Sequence, residues 1–160
     1  MAHTITKQKN SPVTSVPLLD LQYEYASIHD DVMRAIQNVV RDKKFINGPD
    51  VGLLEAEIAS YCESNHAIGV SSGSDALLVA LMALDIKPGD EIITTPFTFF
   101  ATASVIMMAG AKPVFVDVED DGFCLDPKKV EAAITNKTKA IQPVHLYGEL
   151  ADMPSFLEIC

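Results

Sequence analysis

The sequence predicts an α/β fold, a mainly parallel sheet with helices on both faces, and two observations carry that reading. From residue 67 onward, short apolar runs alternate with stretches of helical periodicity. Several of these runs end in small or polar residues that open the next helix, the pattern of strand–helix–strand crossovers.

The elements follow in order. MAHTITKQKNSPVTS, residues 1–15, is polar and without apolar periodicity, and reads as a loose arm before a domain over 16–160. Between Leu21 and Lys44, Tyr25, Ile28, Val32, Ile36, Val39 and Val40 recur at helical spacing, which predicts an amphipathic helix. Asn47-Gly48-Pro49 is turn chemistry, and a second helix is expected over Leu53–Cys62. The expected strands are Ala67–Val70, Glu91–Thr95, Pro113–Val116 and Ala140–Val144. Helices are expected over Asp75–Asp85, Ala101–Ala109 and Pro127–Ile134. Met153–Cys160 reads as the opening of a helix with no C-cap, so the chain is expected to be the front part of a longer domain, with a free sheet edge and uncovered apolar helix faces.

Composition narrows the function. The chain has 160 residues, 48% of them apolar, enough for a core. A net charge of −10 with scattered Lys and Arg argues against nucleic acid. It also means that any anion must be held by local backbone donors. No apolar run is long enough for a membrane span. Three separated cysteines without a CxxC pair fit reduced thiols in the cytoplasm, and with four histidines at unrelated spacings they form no metal pattern.

Three segments could carry chemistry. In Val70-Ser71-Ser72-Gly73-Ser74-Asp75-Ala76-Leu77 an apolar run turns through small residues into a helix that is apolar nearly all round. Its N-terminus offers unpaired amides for an anion at a strand's carboxyl end, with Gly73 permitting close approach. Ser74 or Asp75 as a plain helix cap explains the residues equally well. Thr94-Thr95-Pro96-Phe97-Thr98-Phe99-Phe100 concentrates aromatics at a second strand end, suited to stacking on a flat heteroaromatic ring or to ordinary core packing. Pro143-Val144-His145-Leu146-Tyr147-Gly148-Glu149 places His145 after a third buried strand, as a cofactor contact or a hydrogen-bonded structural residue. Asp117 reads as a turn or cap residue. The G-x-G-x-x-G of dinucleotide folds and the G-K-[ST] of phosphate-binding loops are absent.

Taken together and in order, these segments resemble the DegT/StrS-type sugar aminotransferases of the aspartate-aminotransferase fold, fold type I of the pyridoxal-phosphate enzymes. The similarity begins at Val16-Pro17-Leu18-Leu19-Asp20 and includes Asn47-Gly48-Pro49, Gly110-Ala111-Lys112-Pro113-Val114-Phe115-Val116-Asp117 and Val144-His145-Leu146-Tyr147-Gly148. The resemblance implies an incomplete large domain that binds pyridoxal 5'-phosphate through Gly73, Ser74, Asp75, Phe99 and His145. Ser74 and Asp75 would hold the phosphate, and Phe99 would stack on the pyridine ring.

It further implies transfer of an amino group from an amino-acid donor, glutamate by preference, to a nucleotide-linked keto-sugar. Amino-sugar, cell-surface polysaccharide or antibiotic-sugar biosynthesis is the setting, and the enzyme is a homodimer. The Schiff-base lysine and the carboxylate facing the pyridine nitrogen lie in the family beyond the position of Cys160. No catalytic residue is therefore expected in this chain, and no transaminase activity from it alone. Glu149 stands where the family often has Gln. The alternative is a non-catalytic ligand-sensing or interaction module built on the same fold.

Overall fold

The computed structural model describes residues 15–160, so the expected arm lies, but for Ser15, outside the described residues. The chain divides after Ala67 into two compact units.

The first unit carries two helices, α1 (Gln22–Asp42) and α2 (Pro49–Tyr61). Tyr25, Ile28, Ile36 and Val40 form the apolar stripe of α1, and all four are about half exposed. Lys43, in the left-handed conformation, ends the helix by donating its N–H to the Val39 carbonyl. The second helix starts one turn earlier than Leu53 because Pro49 supplies a fixed φ at its first position, where a missing N–H costs nothing. Gly48 must be glycine, since a Cβ there would run into the Lys44 carbonyl.

The second unit contains α3 (Gly73–Ala83), β1 (Glu91–Thr94), α4 (Ala101–Met108), β2 (Lys112–Phe115), α5 (Pro127–Ala133), β3 (Thr138–Ile141), a 3-10 turn over Leu146–Gly148, and α6 (Met153–Ile159). The strands form one parallel sheet in the order β2-β1-β3, with Glu91 opposite Lys112 on one side and Thr138 on the other. One expected strand is corrected: Ala67–Val70 forms none, and Ile68 is 77% exposed. Its Ile and Val suit a strand, but a strand needs a neighbour to complete its ladder, and the segment pairs with neither outer edge of the sheet, β2 or β3.

β1 is buried along its whole length. Successive side chains point to opposite faces, so Ile92 and Ile93, both fully buried, anchor two different cores. Ile92 packs with Leu81 of α3 and with Val105 and Ile106 of α4. Ile93 packs with Val116, Leu125, Val130 of α5 and Phe156 of α6. Burying each isoleucine is worth roughly 1.5–3 kcal/mol, so this one strand ties both helix layers together. The outer faces of α3 and α4 leave Met82, Met107 and Met108 about two-thirds exposed.

Candidate functional site

Every residue singled out from the sequence lies in the second unit, and the topology sends them to one end of the sheet. α3 leads through a short turn into Glu91 at the start of β1, so it runs back along the strand. Eleven helical residues span about 16 Å and four strand residues about 13 Å, which brings the first turn of α3 level with the carboxyl end of β1. α4 begins at that same end, after the loop 95–100, and packs against α3.

The start of α3 is closed by a side-chain cap. The N-cap is Ser72, not Ser74 or Asp75. Its hydroxyl oxygen accepts the Asp75 N–H at 3.1 Å, and the hydroxyls of Ser71 and Ser72 both donate to the Asp75 carboxylate. Ser72 with an acid three residues on was the legible signal. The arrangement turns the negative charge of Asp75 onto two hydroxyls. Among the described residues no acceptor meets the amides of Gly73 and Ser74, so two donors at the positive end of the helix stay open.

Gly73 has no internal reason to be glycine. Its φ is not positive, and a Cβ there would meet nothing within 4 Å. Glycine in a helix costs up to about 1 kcal/mol relative to alanine, so the space above it is what the residue leaves available.

The loop after β1 pins its backbone and frees its rings. Thr95, fully buried, accepts the Phe97 amide at 3.1 Å through its hydroxyl, and the Phe99 carbonyl accepts the Thr102 amide at 3.1 Å. The Phe99 ring is nevertheless 76% exposed, and that of Phe100 is equally open. Among the described residues neither ring is packed into a core. Thr94 donates its hydroxyl to the Gln142 carbonyl at 2.8 Å, and the Gln142 side chain donates to the Thr102 carbonyl at 3.2 Å. Gln142, which sequence reasoning missed, thus ties the loop after β3 to the start of α4.

After β3, His145 accepts the Ala151 amide on Nδ1 at 3.1 Å, which leaves Nε2 carrying the proton on an exposed ring. The structure gives it a structural bond and an outward donor together. Asp117 caps the Val118 amide at 2.9 Å, a turn residue as expected. Glu149 accepts the Phe123 amide at 3.3 Å. Phe97, Phe123 and Tyr147, from the loops after β1, β2 and β3, meet in sequence. Phe97 stacks on Phe123 at 6.1 Å, and Phe123 meets Tyr147 edge-on at 5.3 Å.

Lys112, Lys137 and Lys139 lie at or near the amino-terminal end of the sheet, and Lys87 pairs with Asp85 at 2.8 Å. Lys129 binds the Val118 carbonyl at 2.8 Å and pairs with Asp126 and Asp120. Burial pulls its ammonium down, but the two aspartates outweigh it and hold the group above its usual range, where it stays protonated. Among the described residues no group of three or more His, Cys, Asp or Glu is placed to hold a metal, and no helix is long and apolar enough to cross a membrane.

The model of the DegT/DnrJ/EryC1/StrS aminotransferase family matches residues 26–160. The chain belongs to that family. Among relatives of this DegT-family chain, a protein named pleiotropic regulatory protein from Geobacillus stearothermophilus is 53% identical over 91% of the chain and 39% of its own length. The UDP-N-acetyl-3-dehydro-alpha-D-glucosamine 3-aminotransferase of Acidithiobacillus ferrooxidans is 46% identical over 91% of the chain and 40% of its own length. NtdA of Bacillus subtilis, solved with bound cofactor PMP, superposes with a TM-score of 0.89 at 37% identity over 95% of the chain and 35% of its own. The DegT-family chain thus spans about two-fifths of the length of the curated relatives it matches.

Proposed function

We propose that the protein is a pyridoxal-phosphate-dependent aminotransferase that moves an amino group from an amino-acid donor, glutamate by preference, to a nucleotide-linked keto-sugar, and that this chain contributes the cofactor's phosphate and ring contacts. The observation that carries the reading is the start of α3. Two open amides, Gly73 and Ser74, stand at a helix N-terminus beside a glycine whose missing Cβ leaves room for a close approach. That is what a phosphate monoester needs, and the residues fit it.

In this reading the Gly73 and Ser74 amides and the Ser74 hydroxyl take the phosphate. Asp75 shapes the helix end through Ser71 and Ser72, so its charge is spent on hydroxyls and not on the phosphate. Phe99 offers a free ring face to the pyridine, and the exposed His145 an N–H donor at the neighbouring strand end. Bound there, pyridoxal phosphate supplies an electron sink for amino transfer. The residues of this chain bind and orient; Lys87 and Lys129 are held in ion pairs, and the reading assigns no Schiff-base lysine to this chain. The reading therefore includes a silent transaminase assay for the 160-residue chain by itself, a homodimeric protein, and a cytoplasmic setting.

The names of relatives support the substrate class: one acts on a UDP-linked keto-sugar, and another is named a dTDP-sugar transaminase. The test is equilibrium dialysis of the 160-residue chain against pyridoxal phosphate, with pyridoxal as control. Saturable binding of the phosphate ester and not of pyridoxal supports the site. Equal binding of both, or random lysine labelling alone, sinks it.

A further inference from the structure

The chain of three aromatics at the carboxyl end of the sheet has no part in the phosphate site, and its geometry is not explained by packing. Phe97 and Phe123 are about half exposed, and Tyr147 is 78% exposed. Tyr147 nonetheless sits in the left-handed conformation, at φ 56° and ψ 20°, and is followed by Gly148 at φ 85°. A tyrosine in that region is strained, and strain of this kind is kept where the surroundings use it. What the strain accomplishes here is to bring the Tyr147 ring edge-on against Phe123 while leaving most of its surface open.

Phe123 is held from the other side. It sits on a small hairpin closed by the Val118–Leu125 bridge and by the Glu119 amide donating to the Cys124 carbonyl. Glu149 clamps that hairpin with two acceptors: its carboxylate takes the Phe123 amide, and its backbone carbonyl takes the Cys124 thiol at 3.5 Å. The charged groups around the hairpin are the carboxylates of Glu119, Asp120, Asp121 and Glu149 and the ammonium of Lys129, which pairs with Asp120, so the balance there is negative. What such a surface accepts is a flat, uncharged ring face, for which aromatic stacking is favourable and tolerant of ring identity.

We propose that Phe97, Phe123 and Tyr147 form an aromatic wall that takes the uncharged ring of the substrate, and that Glu149 is the positioning residue that holds the wall together. The inference rests on the aminotransferase reading for its substrate, since a nucleotide-linked keto-sugar presents two uncharged rings, the flat face of its nucleobase and the C–H face of its sugar. It assigns Glu149 a purpose at the position where the family often has Gln: either side chain offers an oxygen to the Phe123 amide.

The test is NMR titration of the full 160-residue chain with uridine and, separately, with methyl α-D-glucopyranoside, observing the aromatic resonances. Saturable shifts with uridine assign the wall to the base, and with the glucoside to the sugar; no shift with either overturns the proposal. Tyr147→Gly removes the ring and relieves the left-handed strain together. It is expected to weaken ring binding about tenfold while leaving Tm unchanged or raised, a split that a merely structural tyrosine would not give. Retained binding in that variant overturns the wall. Glu149→Gln is expected to bind as the parent does and Glu149→Ala more weakly, and parent-like binding by Glu149→Ala removes Glu149 from the proposal. Pyridoxal phosphate, titrated into the same variants, separates the two readings. Unchanged cofactor binding in Tyr147→Gly leaves the cofactor site standing, whereas ring binding without any cofactor binding sinks the aminotransferase reading and leaves the wall.

Discussion

The two ends of the sheet handle polar groups in opposite ways. At the amino-terminal end Glu91, only 9% exposed, has both carboxylate oxygens engaged: Thr135 donates to Oε2 at 2.7 Å and Lys112 to Oε1 at 3.2 Å. At the carboxyl end two helix amides are open, a phenylalanine ring stands in solvent, and a tyrosine is held in a strained backbone. A fold that satisfies a buried carboxylate at one end and leaves helix donors open at the other is uneven along the strand axis. Open α/β sheets place ligands outside the carboxyl ends of their strands, and here the asymmetry is visible residue by residue.

The comparison breaks most easily in the middle, where β1 serves both cores. Ile93→Ala is expected to cost roughly 2–5 kcal/mol, because it empties a fully buried site between Val116, Leu125 and Phe156. Urea unfolding followed by circular dichroism measures this, and a loss under about 1 kcal/mol would show that the second helix layer is not anchored there. The open end should behave in the reverse manner. Gly73→Ala puts a methyl group into space that the chain does not occupy, so Tm should hold or rise. If that space belongs to a phosphate, losing one charged hydrogen bond of about 1.5–3 kcal/mol weakens pyridoxal-phosphate binding at least roughly tenfold. Dialysis and a thermal melt on the same sample decide it; a lower Tm with unchanged binding would make Gly73 a structural residue.

Phe99→Ala sharpens the same contrast with a smaller effect. Its ring touches little within the chain, so stability should move by less than about 0.5 kcal/mol. Stacking on a pyridine ring is worth about 0.5–1.5 kcal/mol, a loss of cofactor affinity of about twofold to twelvefold. Phe100 is the internal control, since it is as exposed and adjacent. An equal loss in Phe100→Ala would mean that the loop as a whole, and not the Phe99 ring, supports binding.

How much of this was legible beforehand follows the range of the interactions involved. β1, β2 and helices α3 to α5 lie within two residues of where apolar runs and helical periodicity put them, and β3 lies two to three residues earlier, because those signals are local. Ala67–Val70 failed because a strand exists only with a partner. The cap at Ser72 is local and readable from Ser72 and Asp75, but Ser74 and Asp75 carry the same capping chemistry within three residues, and only the observed start of the helix chooses between them. The aromatic wall was not readable at all. Phe97, Phe123 and Tyr147 are separated by 26 and 24 residues, and only the sheet order brings their loops together. The Glu149 clamp on Phe123, across 26 residues, was hidden for the same reason.

The remaining prediction concerns the closed end and its response to acid. The Thr135 hydroxyl first, and Lys112 second, hold the Glu91 carboxyl below the usual glutamate range, against the opposing pull of burial. A group whose pKa is lower in the folded state adds stability that is fully present above its unfolded value, about 4.3, and disappears as the pH falls through the folded value. Glu91→Gln cannot titrate, so its unfolding free energy should fall less steeply than the parent's as pH drops below about 5. The two curves should converge at low pH and separate towards neutrality. Asp152, held low by the Ser155 hydroxyl and amide, adds acid sensitivity of the same sign to both proteins, so the difference between the curves isolates Glu91. Parallel curves from about pH 3 to 7 would mean that the carboxylate is matched by equal interactions in the unfolded chain. The polar closure at the amino-terminal end would then contribute specificity of register between β1 and β2, and no pH-dependent stability.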